Sequence, residues 1–212
     1  MTNVMDIIAQ VGIVPVVKIN DVTKAVPLAN ALVAGGINVA EITFRTSCAA
    51  EAIAKVSTEC PDMVVGAGTV LNVAQAKQAI DAGAKFIVSP GYSRDVVKYC
   101  QSQGVAVLPG CITPTEIMMA LEDGLNVVKF FPAKEFGGLP AMKALSAPFA
   151  QVKFMPTGGV SLENLAEFIS AKFIYACGGT FMVKDTLINE GKFDEITKLS
   201  KLATDIVKEI RG

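Results

Sequence analysis

The sequence predicts one α/β domain over residues 1–212, folded as a closed (β/α)8 barrel of the TIM type with parallel strands and an N-terminal helix. Short runs rich in β-branched and aromatic residues recur at roughly 20 to 28 residues, and segments with helical periodicity separate them. The strand runs are apolar almost throughout, which is typical of a parallel sheet covered on both faces. These observations together favour repeated strand–helix units.

Eight runs have the character of buried strands, each closed by Gly, Pro, Ser or Thr. They are, in order, IVPVV from Ile13, INVAEITF from Ile37, MVVGAG from Met63, KFIVSPG from Lys85, GVAVLPG from Gly104, NVVKFFPA from Asn126, QVKFMPTGG from Gln151 and KFIYACGG from Lys172. Eight units are the number that closes a TIM barrel. An open doubly wound sheet is the alternative, although no G-x-G-x-x-G follows a strand and GAGTVL lacks the third glycine.

The segments between the strands have the end signals of helices. Several open on Asp, Asn, Ser or Thr and close on Gly, as in DVTKAVPLANALVAGG, NVAQAKQAIDAGA and SRDVVKYCQSQG. Residues 194–211 alternate apolar and charged residues at helical spacing, which predicts an amphipathic helix that closes the fold. Active sites in such barrels lie at the carboxyl ends of the strands, so polar residues there are the candidates for function.

Composition excludes several classes of partner. The formal net charge is −1 and no long Lys/Arg cluster occurs, so the electrostatic footprint of a nucleic-acid-binding protein is missing. No apolar stretch is long enough to span a membrane, and the first residues lack the pattern of a signal peptide. We expect a soluble, cytoplasmic protein. Because 51% of the residues are hydrophobic and only 18% are charged, we also expect an apolar subunit interface.

Cysteine and histidine usage restricts the chemistry. The five cysteines are odd in number and widely spaced, which favours reduced core thiols over disulfides or a zinc site. The chain has no histidine. That absence excludes Ser-His-Asp and Cys-His catalysis and His-ligated zinc, so acid–base steps must use carboxylates, lysine, tyrosine or water.

Lys129 is a charge inside the apolar run VVKFFPA, and Glu41 is its counterpart in VAEITFRT. Side chains alternate along a strand, so Lys129 shares a face with Phe131, and Glu41 shares one with Arg45. If both faces point inward, acid and amine meet in the mouth of the barrel. Burial favours the neutral amine, which can attack a carbonyl, with the carboxylate as proton carrier. The alternatives are a lysine that reaches solvent and a purely structural ion pair.

Two further features fit anion binding. Arg45 has the planar fork that suits a carboxylate or a phosphate, although an arginine after a strand is common on protein surfaces. The sequences PTGGVSLENL and ACGGTF place paired glycines in the last two strand-to-helix turns, where backbone N–H groups can point at an anion. Glycines needed only for tight turns are the alternative.

The order of these motifs resembles the 2-keto-3-deoxy-6-phosphogluconate (KDPG) and 4-hydroxy-2-oxoglutarate (KHG) aldolase family. The matching residues are EITFRT, GAGTV, SPG, LPGCITPTE, KFFPA, PTGG and GGTF, which span nearly the whole chain. The resemblance implies a class I aldolase of the Entner–Doudoroff type, a homotrimer without metal or organic cofactor. Its substrate would be a phosphorylated keto acid, cleaved to pyruvate and glyceraldehyde 3-phosphate, with KHG as a further substrate.

The resemblance also implies roles for individual residues. Lys129 would form the Schiff base and Glu41 would carry protons. Arg45 and Thr69 would hold the pyruvyl carboxylate, in a pocket lined by Pro90 and Phe131. The distal phosphate would be received by Gly158, Gly159, Gly179 and Thr180.

Three departures from the common family pattern put substrate preference in question. Phe181 stands where tryptophan is frequent, Lys134 where glutamate often follows FPA, and Lys18 where arginine is common. A lysine cannot reproduce the bidentate contacts of an arginine. Two other functions remain open from the residues: an aldolase for the galactonate epimer of KDPG, and a non-catalytic barrel that binds a phosphorylated metabolite. A metal-dependent aldolase is disfavoured by the lack of histidine.

Overall fold

The computed structural model describes residues 3–212, and its strands close into a parallel barrel. The eight strands are β1 Ile13–Val17, β2 Val39–Thr43, β3 Val64–Gly68, β4 Phe86–Val88, β5 Ala106–Leu108, β6 Val127–Phe130, β7 Lys153–Pro156 and β8 Cys177–Gly179. Six of them pair in the order β5-β4-β3-β2-β1-β8, and β6 pairs with β7. Parallel bridges from Gly110 to Lys129 and from Thr157 to Gly178 join the two sheets. The predicted (β/α)8 barrel is confirmed.

Helices follow the strands and cover the outside of the barrel. They are α1 Val4–Val11, α2 Ala25–Ala34, α3 Ala49–Glu59, α4 Val73–Asp81, α5 Arg94–Ser102, α6 Pro114–Glu122, α7 Gly138–Ser146, α8 Leu162–Ser170, α9 Asp185–Asn189 and α10 Phe193–Arg211. Asn72 caps α4, and Thr113 forms a capping box with Glu116 at the start of α6. The first helix lies before β1, as the sequence predicts. No helix within residues 3–212 is long and apolar enough to cross a bilayer.

The barrel is filled by side chains from the strands. Phe86 lies in this interior, whereas Phe130 and Phe154 are on the opposite face of their strands from Lys129 and pack under the helices, where their rings meet edge to face at 6.0 Å. A side chain at Gly66 would overlap the ring of Phe86, so glycine makes room for this packing. The interior is therefore a core, and a ligand has room only at its ends.

The five cysteines are free. Cys111 and Cys177 are buried, and burial raises the pKa of each thiol to about 12. Thiols of this kind stay protonated at neutral pH and are poor nucleophiles. Four of the five cysteines are buried in the core and Cys48 packs against it partly buried, in agreement with the expectation from their spacing.

Candidate active site

A pocket of about 270 Å³ lies at the carboxyl ends of the strands. Most of the residues that the sequence singles out share this pocket. Its lining consists of Val16, Glu41, Arg45, Thr69, Pro90, Lys129, Phe131, Thr157, Gly158, Gly159, Val160, Gly178 and Thr180. The motifs come from seven of the eight strand ends, which shows how far apart in sequence the parts of the pocket lie.

Lys129 is the third residue of β6, and its backbone is fixed on both sides. Its N–H donates to the carbonyl of Pro109 at 2.9 Å, and its carbonyl accepts from the N–H of Cys111 at 2.9 Å. The residue is only 5% exposed. Its Nζ lies 3.5 Å from Oε1 of Glu41 and 5.2 Å from the ring centroid of Phe131. The amine is thus held at the floor of the pocket, between a carboxylate and an aromatic face.

Glu41 is fully buried in β2. Neither of its carboxylate oxygens accepts a hydrogen bond from residues 3–212, and the 3.5 Å approach of Lys129 is a charge contact without hydrogen-bond geometry. A buried carboxylate in this condition lacks the bonds that normally compensate for its lost hydration. It is therefore ready to bond to a substrate or to a water in the pocket.

Gly68 makes the position of Glu41 possible, and sequence reasoning did not assign it a role. Thr43 of β2 pairs with Gly68 of β3, and the Glu41 side chain extends over this glycine. Any side chain at position 68 would overlap the carboxylate. The signal in the sequence was the glycine in GAGTV, but glycines at strand ends also occur in bulges and tight bends.

Arg45 follows β2 and is oriented by Thr43. Its Nε donates to the hydroxyl of Thr43 at 3.2 Å, and that hydroxyl donates to the carbonyl of Val17 at 2.9 Å. Thr43 is fully buried, so this chain of bonds holds the guanidinium at the wall of the pocket. The terminal NH2 groups of Arg45 are free of hydrogen bonds to residues 3–212 and can receive an anion.

Thr69 and Pro90 complete the wall between β3 and β5. Thr69 has a φ of 57°, a left-handed conformation that is rare and strained for a β-branched residue. The peptide after Pro90 lies against Gly110, where a side chain would overlap the Pro90 carbonyl. Local strain at Thr69 is of the kind that concentrates at functional sites.

The turn after β7 presents backbone groups to the pocket. Gly158 and Gly159 have φ values of 94° and 80°, which other residues rarely adopt. Asn164 of α8 braces the turn, because its amide donates to the Gly159 carbonyl and its oxygen accepts from the Ser161 N–H, both at 2.8 Å. The predicted anion-binding turn is thus a shaped, braced loop at the start of α8.

The turn after β8 differs in one detail from the sequence prediction. Thr180 lines the pocket, but Gly178 lines it in place of Gly179, which lies beside Ile13 and Phe181 in the β1–β8 pair. The alternation of the strand turns Gly178 inward. A side chain there would overlap the hydroxyl of Thr157.

Thr157 is a pocket residue that sequence reasoning missed. It is 4% exposed, and its hydroxyl has no hydrogen-bond partner within residues 3–212. Its place at the end of β7, in PTGG, was the available signal. The hydroxyl can both donate to and accept from a substrate oxygen.

Lys18 lies outside the pocket, in an adjoining cavity that Arg45 and Thr180 also line. Its Nζ forms an ion pair with Asp185 at 3.3 Å, so part of its charge is already neutralised. Within the part of the chain that the structure describes, no group of three or more Cys, Asp or Glu residues gathers in a way that could hold a metal ion.

Comparison with known proteins identifies the family. A family model described as KDPG and KHG aldolase matches residues 4–199. The 2-dehydro-3-deoxy-phosphogluconate aldolase of Treponema pallidum is 49% identical, over 98% of this chain and 99% of that protein. The KHG/KDPG aldolase of Escherichia coli K12 is 40% identical, over 98% of this chain and 97% of that protein.

A solved structure extends the comparison. KDPG aldolase from Legionella pneumophila, with pyruvate captured at low pH as a covalent carbinolamine intermediate, superposes with a TM-score of 0.91. It is 37% identical, over 95% of this chain and 98% of that one. The chain belongs to the KDPG and KHG aldolase family and is a carbon–carbon lyase.

Proposed function

We propose that the chain is a class I aldolase that cleaves KDPG into pyruvate and glyceraldehyde 3-phosphate, with Lys129 as the imine-forming residue. One observation carries the proposal: a buried amine lies 3.5 Å from a buried carboxylate that has no hydrogen bond, at the floor of a pocket. A structural ion pair would normally be completed by further hydrogen bonds. The names of the relatives and the pyruvate carbinolamine of the Legionella protein support the same chemistry.

The reaction follows from this pair. The Lys129 amine attacks the C2 ketone, and loss of water from the carbinolamine gives a protonated imine. Glu41 takes the proton of the C4 hydroxyl while the C3–C4 bond breaks. The electron pair of that bond moves into the protonated imine, which is a better electron sink than a ketone. Glyceraldehyde 3-phosphate leaves. Glu41 returns a proton to C3 of the enamine, and hydrolysis of the imine releases pyruvate.

The remaining pocket residues bind the two ends of the substrate, the carboxylate and the distal phosphate. Arg45 and Thr69 hold the pyruvyl carboxylate, and Pro90 and Phe131 line its pocket. The free terminal groups of Arg45, fixed through Thr43, support this assignment. A carboxylate held in this way aligns the C2 carbon with Nζ of Lys129, which lowers the entropic cost of attack.

The distal phosphate binds at the turns after β7 and β8. Gly158, Gly159, Gly179 and Thr180 supply backbone N–H groups and one hydroxyl. The positive φ values of Gly158 and Gly159 and the bracing by Asn164 support the first turn as an anion cradle. Gly179 contributes through its backbone, since it lies behind the pocket lining.

The protein works as one domain over residues 1–212, without metal or organic cofactor, and assembles as a homotrimer in the cytoplasm. The low charged fraction of the sequence, 18%, supports an apolar subunit interface. The free thiols are in keeping with a reducing compartment. Light scattering at a series of protein concentrations tests the trimer.

Turnover of three substrates tests the function. We expect kcat/KM to be highest for KDPG, lower for its galactonate epimer, and measurable for KHG, which needs only the imine chemistry and the carboxylate contacts. The E. coli relative named KHG/KDPG aldolase supports KHG as the second substrate. Activity should survive exhaustive chelation. A folded protein that releases pyruvate from none of the three would overturn the proposal, and preference for the epimer would replace its substrate.

A further inference from the structure

Lys134 is placed by the backbone that also carries Lys129. Two backbone hydrogen bonds join the turn after β6 to the turn after β7: the N–H of Ala133 donates to the carbonyl of Thr157 at 2.8 Å, and the N–H of Lys134 donates to the carbonyl of Gly158 at 3.3 Å. Lys134 is therefore fixed in register opposite the glycine turn. Its backbone lies in the turn that follows the strand of the proposed imine lysine, and its side chain is exposed.

The aliphatic stem of Lys134 lies across Gly159. A Cβ built on Gly159 would meet Cβ, Cδ and Cγ of Lys134 at 2.6, 3.1 and 3.3 Å. Only a glycine lets the stem lie so close. The ammonium group is two bonds beyond Cδ, so the contact keeps the charge near the turn while the stem covers it.

The surroundings leave this charge available. Lys134 and Gly159 together line a second cavity of about 600 Å³, and Gly159 also lines the catalytic pocket, so one glycine separates the two spaces. No carboxylate within residues 3–212 lies within ion-pair distance of Lys134. Glu167 is the acidic residue in the lining of the same second cavity and is therefore the competing partner to test.

We propose that Lys134 is a specificity residue, whose cation at the Gly158–Gly159 turn favours phosphorylated over unphosphorylated substrates. The inference rests on the proposed function, which puts the distal phosphate at this turn. A phosphate dianion bound at this turn would lie closer to the Lys134 ammonium than the electrostatic screening length at physiological salt, which is about 8 Å. Lys18 and Lys184 line the cavity on the Thr180 side, and Lys18 is already paired with Asp185. Lys134 supplies positive charge on the other side of the proposed phosphate position, at the Gly158–Gly159 turn.

Paired substrates separate this role from a structural one. Lys134→Glu and Lys134→Gln are compared with the wild type for kcat/KM on KDPG and on KHG, which has no phosphate. We expect losses on KDPG of about tenfold for Lys134→Glu and about threefold for Lys134→Gln, with KHG unchanged. The difference in kcat/KM on KDPG between the wild type and the two variants should shrink as the salt concentration is raised. The loss on KDPG should appear mainly in KM.

Two matched controls complete the test. Lys143→Glu makes the same charge change at an exposed position of α7 that lines neither cavity among the described residues, and should leave both substrates unaffected. Glu167→Gln should not lower KDPG turnover, because Lys134 does not depend on this carboxylate. Equal losses on both substrates, no loss at Lys134, or the same loss at Lys143 would overturn the inference.

Failure of the proposed function has a different signature. A wild type that traps no pyruvate on reduction with borohydride contradicts both the aldolase and this role of Lys134. A wild type that traps pyruvate and cleaves KDPG, with variants that match it on both substrates, contradicts the role of Lys134 alone.

Discussion

Two buried carboxylates in this barrel have opposite environments. Glu41 in β2 accepts no hydrogen bond from the described residues and has one charged neighbour, Lys129, at 3.5 Å. Asp123, at the end of α6, accepts hydrogen bonds from Tyr92 and from Arg94, the latter at 3.1 Å, and forms an ion pair with Lys98 at 3.1 Å. Glu41 faces a pocket, whereas Asp123 ties α6 to α5.

The difference separates function from structure. A carboxylate with its bonds completed stabilises the fold and has no capacity left for a ligand. A buried one left without bonds costs stability, and such groups persist where chemistry uses them. The pKa values at Asp123 agree with this: the hydrogen bond from Tyr92, then those from Lys98 and Arg94, hold the pKa of Asp123 below its usual range. Burial, followed by the bond to Asp123, raises the pKa of Tyr92 to about 12.

The largest expected effect is at Lys129. Lys129→Ala should lower kcat on KDPG by about 10³-fold or more, because the amine that forms the imine is gone. Steady-state kinetics measures it, and circular dichroism checks that the barrel is intact. Full activity in the folded variant would contradict the imine mechanism.

Glu41→Gln comes next. It keeps the shape of the side chain but removes the proton carrier, so kcat should fall by about 10²- to 10⁴-fold while pyruvate still forms an imine on Lys129. Since a buried carboxylate without hydrogen bonds costs stability and the amide keeps its shape, the free energy of unfolding should change by less than about 1 kcal/mol. A strongly destabilised variant with normal turnover would make Glu41 structural instead.

Asp123→Asn should lower stability and leave activity unchanged, the opposite of Glu41→Gln. The free energy of unfolding in urea should fall by about 1–2 kcal/mol, because bonds to a charged acceptor are lost, while kcat/KM of the folded protein stays at the wild-type value. Loss of activity without loss of stability would remove the contrast between the two carboxylates.

The same network predicts a pH window. Because folding lowers the pKa of Asp123, its contribution is fully present above the unfolded value of about 3.9 and is lost as pH falls through the folded pKa. Because folding raises the pKa of Tyr92, its contribution is fully present below about 10 and is lost as pH rises through about 12. The stability difference between wild type and Asp123→Asn should therefore be greatest between these limits.

The smallest effect concerns two hydroxyls. Thr157 and Ser200 are both buried with no hydrogen-bond partner in the described chain, but only Thr157 faces the pocket. Thr157→Val should lower kcat/KM on KDPG by about fivefold, the value of one modest hydrogen bond. Ser200→Ala, in α10, should leave kcat/KM unchanged. Equal effects of the two changes would show that an unpartnered hydroxyl is no guide to substrate contact.

The sequence predicts the repeating units well because buried parallel strands and capped helices leave local patterns. Lys129 and Glu41 also stand out, since a charge inside an apolar run is rare. Gly68, Thr157 and Gly178 could not be assigned, because their roles depend on contacts across strands. Such contacts are set by register, and a shift of one residue turns each side chain to the other face.

Asp123 was missed for a related reason. It lies in a helix-end sequence, LEDG, that looks like an ordinary polar terminus, and its partners Tyr92 and Arg94 are about thirty residues earlier. Only the packing of α5 against α6 brings them together. Long-range polar networks of this kind have no local pattern.

The most direct measurement is reduction with borohydride in the presence of pyruvate, followed by peptide mass spectrometry. Wild type and Glu41→Gln should both carry one stable pyruvate adduct, on Lys129, and Lys129→Ala should carry none. An unmodified wild type, or an adduct on another of the lysines, would contradict Lys129 as the residue that forms the imine.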